Sequence, residues 1–376
     1  MKFDLLYELQ MPKPHDPGSE HRCYHEALEQ IELADRLGFD TVWEVEHHFL
    51  TEFAHSSAPE VFLSAVAQRT SRIRIGHGVV LLPHKFNHPI RVAERVAALD
   101  LLSNGRVEFG TGRSSQYEQA GFQIETELSR DMWQEALEII PRMWTEETFE
   151  YRGRFVEIPP RSVIPKPLQK PHPPIWMAAT SPLSWEIAGR NGIGILGLTI
   201  FVSVPQLADR IRAYRTALAS ARPVGKFVND RVGAFTIVHV ADTKADAIRN
   251  GGADAAINYL LYAFRVLGGF ADPGGRGMQK EYAELEIKST PYRDLIAKEY
   301  PIILKMQQGK CTFDDLDAED MVIVGDVDHC IQKIERYKKA GLDHLICLMQ
   351  ADRIPHQQVM RSIELFATKI MPRFGA

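Results

Sequence analysis

Cysteine is scarce in this chain of 376 residues: four in all, Cys23, Cys311, Cys330 and Cys347, widely scattered and with no CxxC pair. That spacing signals neither a zinc knuckle nor a disulfide framework, and it fits a reducing compartment. Charge of one sign is also lacking. The 44 basic and 49 acidic side chains leave a net charge of −5, which gives no reason to expect nucleic acid or an anionic membrane as a partner. No apolar run is long enough to span a bilayer. The start, MKFDLLYELQMPKPHDPG, has too short an apolar stretch for a signal peptide. These absences point to a soluble cytoplasmic protein.

Several catalytic signatures are missing as well. No GxSxG elbow and no P-loop occurs. GIGILG, Gly192 to Gly197, matches GxGxxG but follows a helix and lies within a strand, the reverse of the order a dinucleotide fingerprint requires. His21 and His25 share a helix face without a third ligand and read as a solvated pair. Glu46, His47 and His48 raise the question of a metal. In a strand, residues 46 and 48 would turn one way and 47 the other, a poor ligand set, so no metal is expected.

What the chain does have is a recurring phrase of helix, glycine, apolar residue and strand. It appears as ADRLGFDTVW (34–43) and YKKAGLDHLICLM (337–349), and more loosely as AGRNGIGIL (188–196). The glycine suits a left-handed helix end, and the apolar run suits a strand buried on both faces. Eight such strands can be counted: 3–9, 39–43, 71–83, 106–112, 173–180, 192–198, 230–240 and 344–349. Helices lie between most of them, among them 88–105, with Pro89 in its first turn, and one that Ser129 is expected to cap. Met132, Trp133, Met143 and Trp144 on that helix read as core. The alternation predicts a (β/α)8 TIM barrel, with an open doubly wound sheet as the other possibility. One domain over 1–376 is expected, with a Pro-rich insertion at about 148–173 and a glycine-rich mobile lid at about 268–290.

FDTVWEVEHHFLTEF (39–53) resembles the second strand end of the bacterial luciferase-like flavin monooxygenases. GHGVVLLPHKFNHPIRVAERVAALDLLSNGRVEFGTGRS (76–114), PPIWMAATSPLSWEIAGRNGIGIL (173–196) and VGDVDHCIQKIERYKKAGLDHLICLM (324–349) resemble further segments of the same family. The resemblance implies the same barrel. It also implies FMN, delivered as FMNH2 by a separate NAD(P)H:flavin reductase. Dioxygen would react to a flavin C4a-(hydro)peroxide that oxygenates a small organic substrate by Baeyer–Villiger insertion, aldehyde oxidation or hydroxylation. Related possibilities are an F420-dependent oxidoreductase and a non-catalytic accessory subunit.

Residue by residue, the resemblance makes His47 the catalytic histidine and His48 a scaffold or interface group. Gly78 and Val79 fall where the family has a non-proline cis peptide under the flavin ring. Arg113, Arg130, Thr180, Ser181 and Ser184 match positions around the flavin phosphate, although luciferases carry an acidic residue in the place of Thr180. Arg130 at a helix start has the wrong sign for the helix dipole, which a bound anion would explain. Gly112 stands where luciferases have a reactive cysteine, and its missing side chain is expected to open room beside the flavin. Tyr117 and Glu118 are candidates for substrate or ring contacts. Phe201, Phe264 and Phe270 hint at an apolar substrate. The family precedent is a homodimer through the helices near strands two and three.

Overall fold

Eight parallel strands close into a ring in the computed structural model, which describes residues 1–268 and 301–375. Twelve strands occur among these residues. They are β1 (Lys2–Tyr7), β2 (Thr41–Glu44), β3 (Arg74–His77), β4 (Val80–Leu81), β5 (Val107–Gly112), β6 (Phe149–Arg152), β7 (Glu157–Arg161), β8 (Ile175–Ala178), β9 (Gly194–Leu198), β10 (Val232–Val240), β11 (Ile323–Gly325) and β12 (His344–Leu348). The ring runs β1–β2–β3–β5–β8–β9–β10–β12 and returns to β1, for example through Leu5 opposite Cys347. The β9–β10 pairing, with Ile195 opposite Val232, closes it and excludes the open sheet.

The helices that bear on the site are α1 (Ser19–Leu37), α2 (Pro59–Arg69), α3 (Pro89–Leu102), α4 (Gln116–Gly121), α5 (Ser129–Thr145), α6 (Pro182–Arg190), α7 (Val204–Leu218), α8 (Lys244–Arg249) and α9 (Gly252–Gly268). The repeated phrase of the sequence has its physical cause at the helix ends. Gly38 closes α1 at φ 97°, and Gly341 closes the helix Val327–Ala340 at φ 98°, a left-handed conformation that residues with a Cβ rarely adopt.

Two sequence expectations need correcting. The third strand is not continuous: β3 stops at His77, and after a break at Gly78–Val79 the chain resumes as β4, which pairs with β5. The Gly78–Val79 peptide is trans, because the cis bonds among the described residues all precede proline, at Pro14, Pro165 and Pro171. A trans bond is the lower-energy state by about 3 kcal/mol for a non-proline residue. The N–H of Gly78, part of the preceding peptide, donates to the Glu44 carbonyl at 2.7 Å. Secondly, Ser129 does not cap α5. The chain enters that helix through a 3-10 turn, Thr126–Leu128, so the capping position falls on Leu128, which has no capping side chain.

The amino-terminal half of the barrel interior is closed by aromatic rings and ion pairs. Trp43 on β2 meets Trp176 on the non-adjacent β8 edge to face, centroids 5.3 Å apart. Oδ2 of Asp4 accepts from Trp43 Nε1 at 3.0 Å and lies 3.0 Å from His344 Nδ1. Glu108 accepts from Trp176 Nε1 at 2.6 Å and pairs with Arg74 and Arg231. Asp4, Asp40 and His344 approach one another closely enough to suggest a cation site. Their charges are accounted for by the Asp4–His344 pair and a Lys2–Asp40 bridge.

The insertion is ordered. β6 and β7 pair antiparallel, and Glu135 on α5 accepts backbone N–H groups from Arg154, Phe155 and Val156 in the turn between them. The glycine-rich stretch 268–290 lies outside the described residues except for Gly268. No described helix is long and apolar enough to cross a membrane.

Candidate active site

With the amino end filled, the open end of the barrel holds a cavity of about 1200 Å³, counting its mouth. It lies at the carboxyl ends of the strands, where barrel enzymes place their chemistry. Its wall takes in His47, Gly78, Val79, Gly112, Arg113, Thr180 and Ser184. Ser181 and Arg130 do not line it.

β2 ends at Glu44, so strand alternation does not govern residues 46–48. Hydrogen bonds place them instead. The His47 N–H donates to the Ser56 carbonyl at 2.9 Å, and its Nδ1 lies 3.0 Å from Glu118 Oε1. The same carboxylate oxygen accepts the His48 N–H at 2.8 Å. Oε2 of Glu118 accepts the Ser115 hydroxyl at 2.8 Å in a capping box that starts α4. Glu118 is therefore an orienting group for both histidines, a more definite role than the ring contact expected of it.

The electrostatics of this pair follow from burial and charge. Burial pushes the Glu118 carboxyl up, but the charge and hydrogen bond of His47 outweigh it and hold the group at about 2. Burial pushes His47 down, and Glu118, aided by Glu8 and Glu46, carries it above its ordinary value. The carboxylate thus favours a proton on Nδ1, directed at Glu118.

His48 packs away from the cavity, its ring parallel to Phe86 and edge-on to Phe122, and is 3.3 Å from Glu46 Oε1. Glu46 does reach the cavity wall, contrary to the alternation argument. Its carboxylate accepts from Leu81 N–H and from Asn87 Nδ2, both at 2.8 Å, and so ties this loop to β4.

Two arginines, Arg113 after β5 and Arg130 in the first turn of α5, form a basic pair. Arg113 follows β5 and donates to the Ser129 hydroxyl at 2.9 Å, which in turn donates to the Thr126 carbonyl. Ser129 is thus used as a bracket for Arg113. Burial and then the neighbouring Arg130 lower the Arg113 guanidinium to about 10. Neither arginine has a carboxylate partner among the described residues, and Arg130 Nη1 is buried without a hydrogen bond. The α6 start adds Ser181 and Ser184, whose hydroxyls lie 2.9 Å apart with neither capping the helix. Two unpaired guanidiniums, an orphaned buried N–H and an uncapped helix start are the donor set a phosphate dianion requires.

Gly112 gives a different result from the expected one. A Cβ there would come within 2.4 Å of Val79 Cγ2. The room left by the absent side chain is already filled by valine. Of the aromatic residues proposed for substrate, Phe201 is buried but does not line the cavity. Phe270 and the Phe264 side chain lie outside the described residues. Tyr117 packs on Phe49 instead. The aromatic wall is made by Phe53, Trp133, Phe235 and Tyr259, and Trp133 also donates to Thr111 Oγ1 at 3.2 Å. Sequence reasoning missed Glu8, Phe53, Phe235 and Tyr259.

Comparison with known proteins agrees with this geometry. The sequence pattern described as luciferase-like monooxygenase matches residues 3–344, and the chain belongs to that family. It is 28% identical over 250 residues, 66% of this chain, to the oxygenase component of a flavin-dependent trigonelline monooxygenase from Acinetobacter baylyi, covering 67% of that protein. It is 35% identical over 66% of its length to limonene 1,2-monooxygenase from Rhodococcus erythropolis, covering 63% of that protein. These alignments thus span about two thirds of each relative. The crystal structure of monooxygenase RslO1 from Streptomyces bottropensis superposes over 100% of both chains with a TM-score of 0.77 and 27% identity. An F420-dependent glucose-6-phosphate dehydrogenase from Amycolatopsis mediterranei aligns over 93% of this chain and 94% of its own length at 24% identity.

Proposed function

We propose that the chain is the oxygenase of a two-component, FMNH2-dependent monooxygenase acting on a small, mainly apolar organic substrate. The observation that carries this reading is Arg113, which shares the cavity wall with Thr180 and Ser184 and, like its neighbour Arg130, is uncompensated by any described carboxylate. Arg113, Arg130, Thr180, Ser181 and Ser184 would hold the FMN phosphate. Gly78, Val79 and Gly112 would form the wall against its ring. Bound reduced flavin supplies the activation of dioxygen.

The chain's own groups then orient and protect. His47, fixed by Glu118, presents its Nε2 side to the cavity and stabilises negative charge that develops there. Phe53, Leu198, Phe235 and Ile346 keep water from that region. A separate NAD(P)H:flavin reductase in the cytoplasm would supply the reduced cofactor. A homodimer through α2 and α3 is part of the proposal, supported by Val61, Leu101 and Leu102, which these helices leave exposed.

A second reading, an F420-dependent oxidoreductase, is favoured by the nearly full-length alignment with an F420-dependent relative. Anaerobic titration with FMNH2 and with reduced F420 separates the two. Tighter binding of FMNH2, followed by oxygen uptake on aeration, is the expected result. Preference for reduced F420 without oxygen uptake overturns the proposal. Turnover that is unchanged in His47→Ala, with FMN still bound, would exclude the catalytic assignment of His47.

A further inference from the structure

Glu8 follows the last residue of β1 and is buried in the cavity wall. Its Oε1 accepts the Tyr259 phenol at 2.8 Å, and its Oε2 accepts the Gln10 amide at 2.8 Å. Tyr259 is fixed in turn between Phe53 and Phe235, at centroid distances of 5.3 and 6.0 Å. The charged or titratable groups that act on Glu8 come from three elements: His47 after β2, Glu44 at the end of β2, and Tyr259 on α9. No lysine or arginine pairs with Glu8 among the described residues.

His47 is placed differently. Its Nδ1 faces a carboxylate that two other donors, the His48 N–H and the Ser115 hydroxyl, also keep ionised. An imidazolium clamped against a fixed anion holds its proton.

We propose that Glu8 is a group that gives up and takes back a proton during turnover, beside the orienting His47–Glu118 pair. This rests on the monooxygenase reading only for what receives the proton. Burial drives the Glu8 carboxyl up to about 7, against the lowering influence of His47 and the Tyr259 and Gln10 hydrogen bonds. A buried acid whose midpoint lies near working pH is suited to general acid–base catalysis. In the step itself, the proton leaves the Glu8 carboxyl for an oxygen of the bound ligand on the cavity side. The carboxylate left behind is stabilised by Tyr259 and Gln10, a hydronium proton from bulk solvent, relayed by water at the mouth, restores the acid and leaves neutral water, and no electrons change hands.

The test uses the full-length chain free of flavin, so that its outcome does not depend on the cofactor assignment. Infrared difference spectra are recorded across the neutral range. A carboxylic acid C=O band that disappears with a midpoint near pH 7 is expected, and Glu8→Gln should remove it. The Glu44 carboxyl, raised well above the usual range by burial, would give a band that persists. Tyr259→Phe removes a lowering hydrogen bond and should move the Glu8 midpoint upward. A titrating band that survives Glu8→Gln, or no titrating band at all, overturns the proposal. If Glu8→Gln does not fold, Tyr259→Phe decides, and an unmoved midpoint overturns it.

Discussion

Nδ1 of His47 and Oε1 of Glu118 stand 3.0 Å apart although 71 positions separate them in the chain. The contact joins the loop after β2 to the first turn of α4 beyond β5, across the mouth of the barrel. Replacing Glu118 with Gln keeps the shape and removes the charge. His47 should then titrate lower, read by NMR of the imidazole. The pH dependence has a definite sign. The Glu118 carboxylate is depressed, so its contribution to stability is present above its ordinary range and is lost as pH falls towards about 2. Urea unfolding should show the gap between wild type and Glu118→Gln shrinking as the solution is acidified.

Glu8 has the opposite sign. Its folded-state value, about 7, exceeds the ordinary 4.5, so folding is opposed once the group ionises. The contribution is favourable at low pH and is lost as pH rises through 7. Glu8→Gln should therefore match wild type near pH 5 and exceed it near pH 8, by on the order of 2–3 kcal/mol. Denaturant midpoints at the two pH values check this, and equal midpoints at pH 8 would contradict the assigned burial penalty.

Arg113→Ala removes a half-buried guanidinium from the cavity wall, the one proposed to meet the flavin phosphate. FMN affinity should fall by about tenfold to a hundredfold, the worth of a charge-assisted hydrogen bond. Riboflavin, which lacks the phosphate, should bind wild type and variant about equally. Flavin fluorescence titrations separate the two ligands, and a matching loss for riboflavin would argue against a phosphate contact.

Gly112→Ala forces a methyl group into Val79, whose Cγ2 would lie 2.4 Å away. Overpacking of this kind costs about 1–3 kcal/mol. The double variant Gly112→Ala, Val79→Ala should recover most of the loss, measured by thermal unfolding. A simple sum of the two single effects would mean that the strands yield and the contact is not tight.

The barrel was legible in the sequence because its signals are local. Gly38 and Gly341 announce helix ends, and β-rich apolar runs follow them. The break inside the third strand was not legible, since Val79, Val80 and Leu81 continue the apolar run through it. Ser129 read as a cap because serine precedes an apolar-periodic helix, yet the preceding 3-10 turn gives its hydroxyl to Arg113 instead. His47 was legible through its family context. Glu8 was not, because YELQ reads as the fraying end of a strand, and the partner that gives the carboxyl its meaning, Tyr259, lies 251 positions away. Likewise, nothing near Gly112 in sequence reveals that Val79 occupies its space.

The cavity wall carries both signs of charge: Arg113, with Arg130 as its neighbour, and the carboxylates Glu8 and Glu46 beside the His47–Glu118 pair. In a protein of net charge −5, that basic pair is a minority field bounded by apolar walls. Fields of this kind act before contact: they turn an elongated anion so that its charged tail leads inward. Entry of a phosphorylated ligand should thus be governed by rate as much as by affinity, and it should slow as added salt shortens the reach of the field.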